Sequence, residues 1–444
     1  MATAITENSQ KISITDEVHK KYHYWRFIIL YSSIAGYALF YLVRKNISMA
    51  LPGMEHDLGI TKDMLGLFLT LNGILYGVSK FANGVWGDRA NPRYFLTAGL
   101  LLSASMSLLF GMSSTVLIFG ILWMLNGWFQ GMGCGPCIKS LSTWYPSNER
   151  GFRFAIWNTS HTIGSTSVML LNALLVGLSF YTWRLSFFVP TGIAIIGSIF
   201  LFNRLRNTPE SLGLPSVEEM YGHAEAKHNG NADGKISGEE FKKLLRKKVF
   251  GNPGVWFIGF ASFFVYIVRF SLLDWGPTIL SEMKGLSLRD AGLMVAGTEV
   301  CGLLGMLCCG WLMDKVFKSN GALVCVFYTV ALSIFAFLFW LLPTKCVWVY
   351  AILLCGMGFT IYGPQAMLGP IVANMATKNA AASAVGFVGF FSYLSVAVSG
   401  WGLGYMVKHI GWHKSFAWVI AFALMSAAMF AVPAIWNFNH KKEN

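Results

Sequence analysis

Charge is what this chain has least of. Only 12% of its 444 residues are charged, with 21 Asp and Glu against 34 Lys and Arg, while 55% are hydrophobic. That balance lies outside the range of soluble globular domains, so a water-soluble enzyme is excluded and the chain is read as membrane-embedded. A net charge of +13 would suit a nucleic-acid binder. The basic residues, however, sit in short segments beside the ends of apolar runs, where they meet anionic lipid, so nucleic-acid binding is not expected. No carboxylate cluster, no ATP-binding motif and no cofactor site appears, so neither a metal nor a cofactor is expected. The eight cysteines show no pairing pattern. Cys134-Gly135-Pro136-Cys137 has the spacing of a redox pair but lies in an apolar run without a flanking strand, so redox chemistry is not expected and Gly135-Pro136 reads as a helix-distorting feature. The first 24 residues lack the apolar stretch that precedes a cleavage site, so they read as a tail and not as a signal peptide.

What is there is a series of about twelve apolar runs of roughly 18 residues or more, beginning near residues 27, 64, 95, 116, 154, 186, 254, 291, 322, 346, 383 and 416. They do not alternate as barrel strands would, so the expected fold is an all-α membrane protein with twelve transmembrane helices. Most Lys and Arg fall on the side that carries both termini, which places both ends in the cytoplasm by the positive-inside rule. An internal repeat divides the chain. Tyr41-Leu42-Val43-Arg44 and Tyr266-Ile267-Val268-Arg269 are 225 residues apart, each followed eight residues later by a proline, Pro52 and Pro277. Gly84 to Arg89 matches Gly310 to Lys315, Gly135-Pro136 matches Gly363-Pro364, and Trp183 to Phe187 matches Trp412 to Phe416, at slowly growing offsets. The expected domains are a cytoplasmic tail (1–24), a six-helix half (25–203), a basic cytoplasmic linker (204–252), a second six-helix half (253–436) and a short tail (437–444). Because both halves begin on one side, equivalent positions face each other across a central cleft.

An arginine at mid-bilayer depth costs on the order of 2.5 to 3.5 kcal/mol even on the lenient insertion scale and normally faces a wet cavity. Two of them on opposite walls make an anion site, since two guanidinium forks can each bind two oxygens of a phosphate dianion. The competing reading pairs one arginine with an intramembrane acid, Asp274 or Glu299. Lys45 points about 100° away from Arg44 on a helix, so an ion-pair role is expected for it and not ligation. Lys80 either snorkels to the near interface or acts as an electrostatic lure. Tyr37, Tyr41, Tyr76, Tyr266, Tyr362 and Tyr393 are candidate hydroxyl donors lining the cleft.

The chain resembles the organophosphate:phosphate antiporter family of the major facilitator superfamily, and within it the glycerol-3-phosphate transporter branch, over about residues 25 to 436. The resemblance is carried by Tyr41 to Asn46, Gly131-Met132-Gly133 with Pro136-Cys137, Glu149-Arg150-Gly151, Trp157-Asn158 with His161, Phe264-Val265-Tyr266 through Arg269, Leu273-Asp274-Trp275 and Pro277. It implies that Arg44 and Arg269 are the phosphate ligands and raises His161, an isolated histidine within a span, to a substrate ligand. It also implies a non-enzymatic carrier that exchanges an organic phosphate ester for inorganic phosphate, as a monomer in the inner (plasma) membrane. Cys134 departs from the family, which usually has an aromatic residue there. The Gly-x-x-x-Asp-[Arg/Lys] segments resemble the superfamily's loop motif, which makes Asp88, Arg89, Asp314 and Lys315 a candidate latch between the halves.

Three further readings follow. Asn229 to Glu240 fits much of a calcium-binding loop, but its first position is Asn, and a cation-rich stretch follows, so a plain turn is expected. Phe387-Val388-Gly389-Phe390-Phe391 is apolar where the hexose-phosphate branch carries charges, which favours glycerol 3-phosphate over a hexose phosphate. A sugar-phosphate receptor of the same fold is the rival within the family.

Overall fold

A computed structural model describes residues 16–221, 243, 245–317, 320–342, 346–375 and 381–440, and among them every regular element is helical, with no strand. The first half comprises α1 (Asp16–Lys45), α2 (Ile47–Leu58), α3 (Lys62–Arg89), α4 (Pro92–Met112), α5 (Val116–Gln130), α6 (Cys134–Trp144), α7 (Ser147–Asn158), α8 (Ser160–Val176) and α9 (Leu185–Arg204). A short α10 (Val217–Tyr221) follows in the linker. The second half comprises α11 (Pro253–Lys284), α12 (Leu288–Lys315), α13 (Gly321–Leu341), α14 (Val347–Met375), α15 (Ala381–Ala397) and α16 (Leu403–His440).

Three crossings of the first half are broken helices: α1–α2 at Asn46, α5–α6 at Gly131 to Gly133, and α7–α8 at Thr159. Nine stretches among the described residues are long and apolar enough to cross a membrane. Three further crossings complete twelve. These are α3, the pair α7–α8, and the second arm of 384–436, where the chain turns back at Gly411 with φ 74°. A left-handed φ at a hairpin tip suits glycine, which has no Cβ to clash.

Buried amides compensate the break in span one. A broken helix leaves carbonyls without an N–H partner, which is costly where no water reaches. Asn126 Nδ2 donates to the Val43 carbonyl at 3.2 Å, and Gln130 Nε2 donates to the Phe40 carbonyl at 3.0 Å. Both amides are buried, on α5, and are also tied to Ser103 of α4. Together they fix the turn of α1 that carries Arg44.

The halves meet along two seams, α3 against α15–α16 and α8 against α12. Along α3 the bridges run in order from the face opposite the termini. Lys62 pairs with Glu282 (3.0 Å), and Lys408 pairs with Asp63 (3.1 Å). A methyl on Gly66 would collide with the Gly400 carbonyl. Thr70 donates to the Val396 carbonyl at 3.1 Å and accepts from the Trp401 N–H at 2.8 Å. Tyr76 packs on Tyr393 at 5.6 Å, and Lys80 stands 5.9 Å from the same ring. Among the described residues this series of polar and aromatic bridges ends at Lys80. The far face is therefore shut, while Tyr41, Arg44, Lys80, Tyr266 and Tyr393 remain partly exposed.

Two expectations change here. Gly84 to Arg89 and Gly310 to Lys315 form the last turns of α3 and α12 and not the loops that follow, because nothing in either segment breaks a helix before its charged end. Gly135-Pro136 follows a break, with Pro136 in the first turn of α6, whereas its repeat Gly363-Pro364 lies inside the continuous α14. The added glycines at 131 and 133 make the difference. The calcium-loop-like residues 229 to 240 lie outside the described residues.

Candidate functional site

Arg44 ends the last turn of α1, and Arg269 lies in the middle of α11. No carboxylate among the described residues comes within 4.0 Å of either guanidinium. The acids that might have neutralised them are engaged elsewhere. Asp274 forms an ion pair with Lys45, joining the halves, with the side chains 10% and 8% exposed. This agrees with the ion-pair role expected for Lys45. Glu299 of α12 accepts from the Tyr362 hydroxyl on one oxygen and from the Ser165 hydroxyl of α8 on the other.

The two arginines are held by different means. The Arg44 guanidinium lies 3.7 Å over the Tyr76 ring and 5.6 Å from the Tyr41 ring, a cation–π arrangement that holds it while leaving its N–H groups available. Arg269 is 9% exposed and sits 5.0 Å from the Tyr362 ring and 5.6 Å from the Tyr266 ring, with a long 3.5 Å contact from Nη2 to the Tyr362 hydroxyl. Its Nε is buried without a partner. A buried donor left open costs about 1 to 3 kcal/mol, so an incoming acceptor oxygen would find it ready.

His161 joins the two sides. Its ring is 6.1 Å from Tyr41 and 6.3 Å from Tyr362, nearly parallel to the latter at 13°. Thr162 Oγ1 lies 3.2 Å from Nδ1. The sequence Arg44, Tyr41, His161, Tyr362, Arg269 thus forms one continuous wall across the cleft. Tyr76, Tyr393 and Lys80 form the wall opposite, and Tyr266 stacks with Phe270 beside Arg269. Tyr37 packs on Tyr41 at 5.6 Å and on Trp157 at 5.0 Å. The space beside Arg44 measures ≈ 20 Å³ and that beside Arg269 ≈ 10 Å³, room for about one water-sized group each.

Sequence reasoning missed Ser165, Asn126 and Gln130. The two amides had a signal, since they sit four residues apart in an apolar run and so share one helix face. Ser165 had none. The Phe387 to Phe391 stretch has two surroundings. Phe387 and Phe391 pack on Trp256 at 5.0 and 5.9 Å, and Phe390 is exposed on the outside of the bundle. Gly389 and Phe390 also line a cavity of ≈ 660 Å³ together with Lys80 and Tyr393. Of the candidate latch, Lys315 is exposed at the end of α12. The side chains of Asp88, Arg89 and Asp314 lie outside the described residues.

Two six-helix halves around a cleft whose two arginines lack a direct carboxylate partner among the described residues have the build of an integral membrane carrier. The profile of the Major Facilitator Superfamily matches residues 34–400, and the chain belongs to that family. It is 38% identical to the probable hexose phosphate transport protein of Chlamydia trachomatis over 96% of this chain and 94% of that protein. It is also 38% identical to the glycerol-3-phosphate transporter of Bacillus subtilis (92% of each chain) and 36% identical to the membrane sensor protein UhpC of Escherichia coli (94% of each). The crystal structure of a bacterial homologue of the human lysosomal transporter Spinster, inward-facing and unoccupied, shares the fold. It has a TM-score of 0.74 and 14% identity over 92% of this chain and 97% of that one.

Proposed function

We propose that the chain exchanges a small organic phosphate ester, glycerol 3-phosphate before a hexose phosphate, for inorganic phosphate by alternating access, as a monomer in the inner membrane with both termini cytoplasmic. The observation that carries this reading is the pair Arg44 and Arg269. They come from opposite halves, neither has a carboxylate partner among the described residues, and Tyr41, His161 and Tyr362 join them. The relatives named for hexose phosphate and glycerol 3-phosphate transport support a phosphate ester as solute.

On this reading a solute enters from the cytoplasmic, terminal face and its phosphate bridges the two guanidiniums. Without it the like charges hold the walls apart; with it, closure gains charge-assisted hydrogen bonds from both halves. Closing the terminal face brings Asp88, Arg89, Asp314 and Lys315 together as a latch, while the Lys62–Glu282 and Lys408–Asp63 pairs of the far face part. One cleft serves both anions, so the outward phosphate gradient drives uptake of the ester.

The test is counterflow of labelled phosphate in liposomes, competed by glycerol 3-phosphate and by glucose 6-phosphate. Saturable exchange inhibited more strongly by glycerol 3-phosphate is expected; stronger inhibition by glucose 6-phosphate reverses the substrate order. The resemblance to a membrane sensor protein supports a receptor as the second reading. Binding without counterflow would select it.

A further inference from the structure

On the terminal face, away from the cleft, three arginines crowd together without an acid. Arg93 lies in the first turn of α4, Arg204 ends α9, and Arg206 follows it. None of them makes an ion pair among the described residues. Burial and the like charges of Arg93 and Arg204 push Arg206 below the ordinary arginine value. Arg93 is also placed against its own helix, because the N-terminus of α4 carries positive partial charge.

Their geometry is organised. Arg93 Nε donates to the Phe202 carbonyl at 2.6 Å, and its guanidinium lies 4.3 Å from the Phe202 ring. Arg206 Nη1 donates to the carbonyls of Asn203 and Leu205 at 2.8 and 2.7 Å and lies 4.9 Å from the Trp25 ring. Arg204 makes only a 3.5 Å contact to the Tyr24 hydroxyl. The terminal nitrogens of Arg93 have no protein acceptor among the described residues. Beside this cluster, a groove of ≈ 290 Å³ runs between α1 and α9, lined by Tyr24, Phe27, Ile28, Tyr31, Phe200 and Arg204. Phe27 and Tyr31 stack in parallel along it at 6.3 Å, and both are exposed.

We propose that Arg93, Arg204 and Arg206 hold the phosphate of an anionic phospholipid whose acyl chain lies in the α1–α9 groove. Charge selects the headgroup: three guanidiniums lacking a counterion need an anion, and aromatic rings fix their planes at the membrane interface. The groove selects a lipid over a soluble phosphate, since its remaining walls, Tyr24, Phe27, Ile28, Tyr31 and Phe200, are aromatic and aliphatic and carry no charge.

The experiment is native mass spectrometry of the full chain with phosphatidylglycerol against phosphatidylcholine. The expected result is retention of one phosphatidylglycerol in preference to phosphatidylcholine. Each arginine replaced by glutamine should lower that retention by roughly five-fold, from a contribution of about 1 kcal/mol per cation. A control removing three exposed cations elsewhere, Lys243→Gln, Lys247→Gln and Lys248→Gln, should leave retention unchanged. Ile28→Trp, which fills the groove and keeps every charge, should also release the lipid, and thermal unfolding of each variant checks that the fold is intact. Equal loss in the control would mean diffuse attraction. Displacement by millimolar inorganic phosphate would mean a free-anion site, and unchanged retention in the triple arginine variant would mean no site. Each of these three results overturns the proposal.

Discussion

Arg44 and Arg269 are repeat equivalents, 225 residues apart, and each lies 5.6 Å from the tyrosine three residues before it, yet their remaining supports differ. Arg44 is partly exposed and lies flat on Tyr76, a ring supplied by a neighbouring span. Arg269 is buried beside Tyr362, which ties it to Glu299 and, through that carboxylate, to Ser165 of the other half. The repeat explains part of the contrast. Gly135-Pro136 corresponds to Gly363-Pro364 at an offset of 228, so Cys134 stands where the second half has Tyr362. With no hydroxyl at that position, the first half props its arginine from α3. Duplication thus preserved the ligands and let their supports diverge: one arginine is held by an aromatic face, the other by a hydrogen-bonded chain that crosses the seam.

The largest effect is expected at the ion pair that flanks both arginines. Asp274→Asn leaves the Lys45 ammonium buried without its partner, which costs about 3 to 5 kcal/mol when an intact buried pair is broken on one side. Thermal unfolding in detergent should fall accordingly. The double change Lys45→Met with Asp274→Leu should recover most of the loss, and if it does not, the pair is more than mutual neutralisation.

A smaller effect is expected at Glu299. Glu299→Gln keeps one of the two acceptor oxygens that Tyr362 and Ser165 use and removes the charge, and charge-assisted bonds contribute about 1.5 to 3 kcal/mol. Exchange should drop roughly ten-fold or more while phosphate binding holds or tightens, because Arg269 loses a competing anion. Parallel losses in both would place Glu299 in the binding step instead. The smallest effects separate the two supports directly. Tyr362→Phe removes the hydroxyl between Arg269 and Glu299 and should lower exchange roughly ten-fold, from the loss of one charge-assisted bond. Tyr76→Phe keeps the face under Arg44 and should stay within about two-fold. Equal losses in both variants would erase the distinction between a face and a hydroxyl.

The fold was legible because its signals are one-dimensional. Apolar run length gives the spans, and Tyr-x-x-Arg with its distant proline gives the halves. That the arginines, His161 and the six tyrosines come close together was legible for a related reason: polar residues stand out against apolar runs, and Tyr37 packs on Tyr41 as well as on Trp157. Three-dimensional pairings stayed hidden. Nothing local to Ser165 marks it as the partner of Glu299, 134 residues away. The far-face pairs Lys62–Glu282 and Lys408–Asp63 depend on which conformation the halves adopt. The Phe387 to Phe391 stretch serves two surroundings, since Phe387 and Phe391 pack on Trp256 while Gly389 and Phe390 line the cavity beside Lys80.

The central claim is that two differently supported arginines act as equal forks on one phosphate. Its most direct test is equilibrium phosphate binding and phosphate exchange for Arg44→Lys, Arg269→Lys and the double variant, in liposomes of matched protein content. Lysine keeps the charge and loses the planar fork. Each single change should weaken binding on the order of 10-fold to 100-fold, from one lost charge-assisted bond, and nearly abolish exchange. The double change should add little to either single loss. Near-normal exchange in either single variant would contradict the account and leave that arginine as a helix-packing residue.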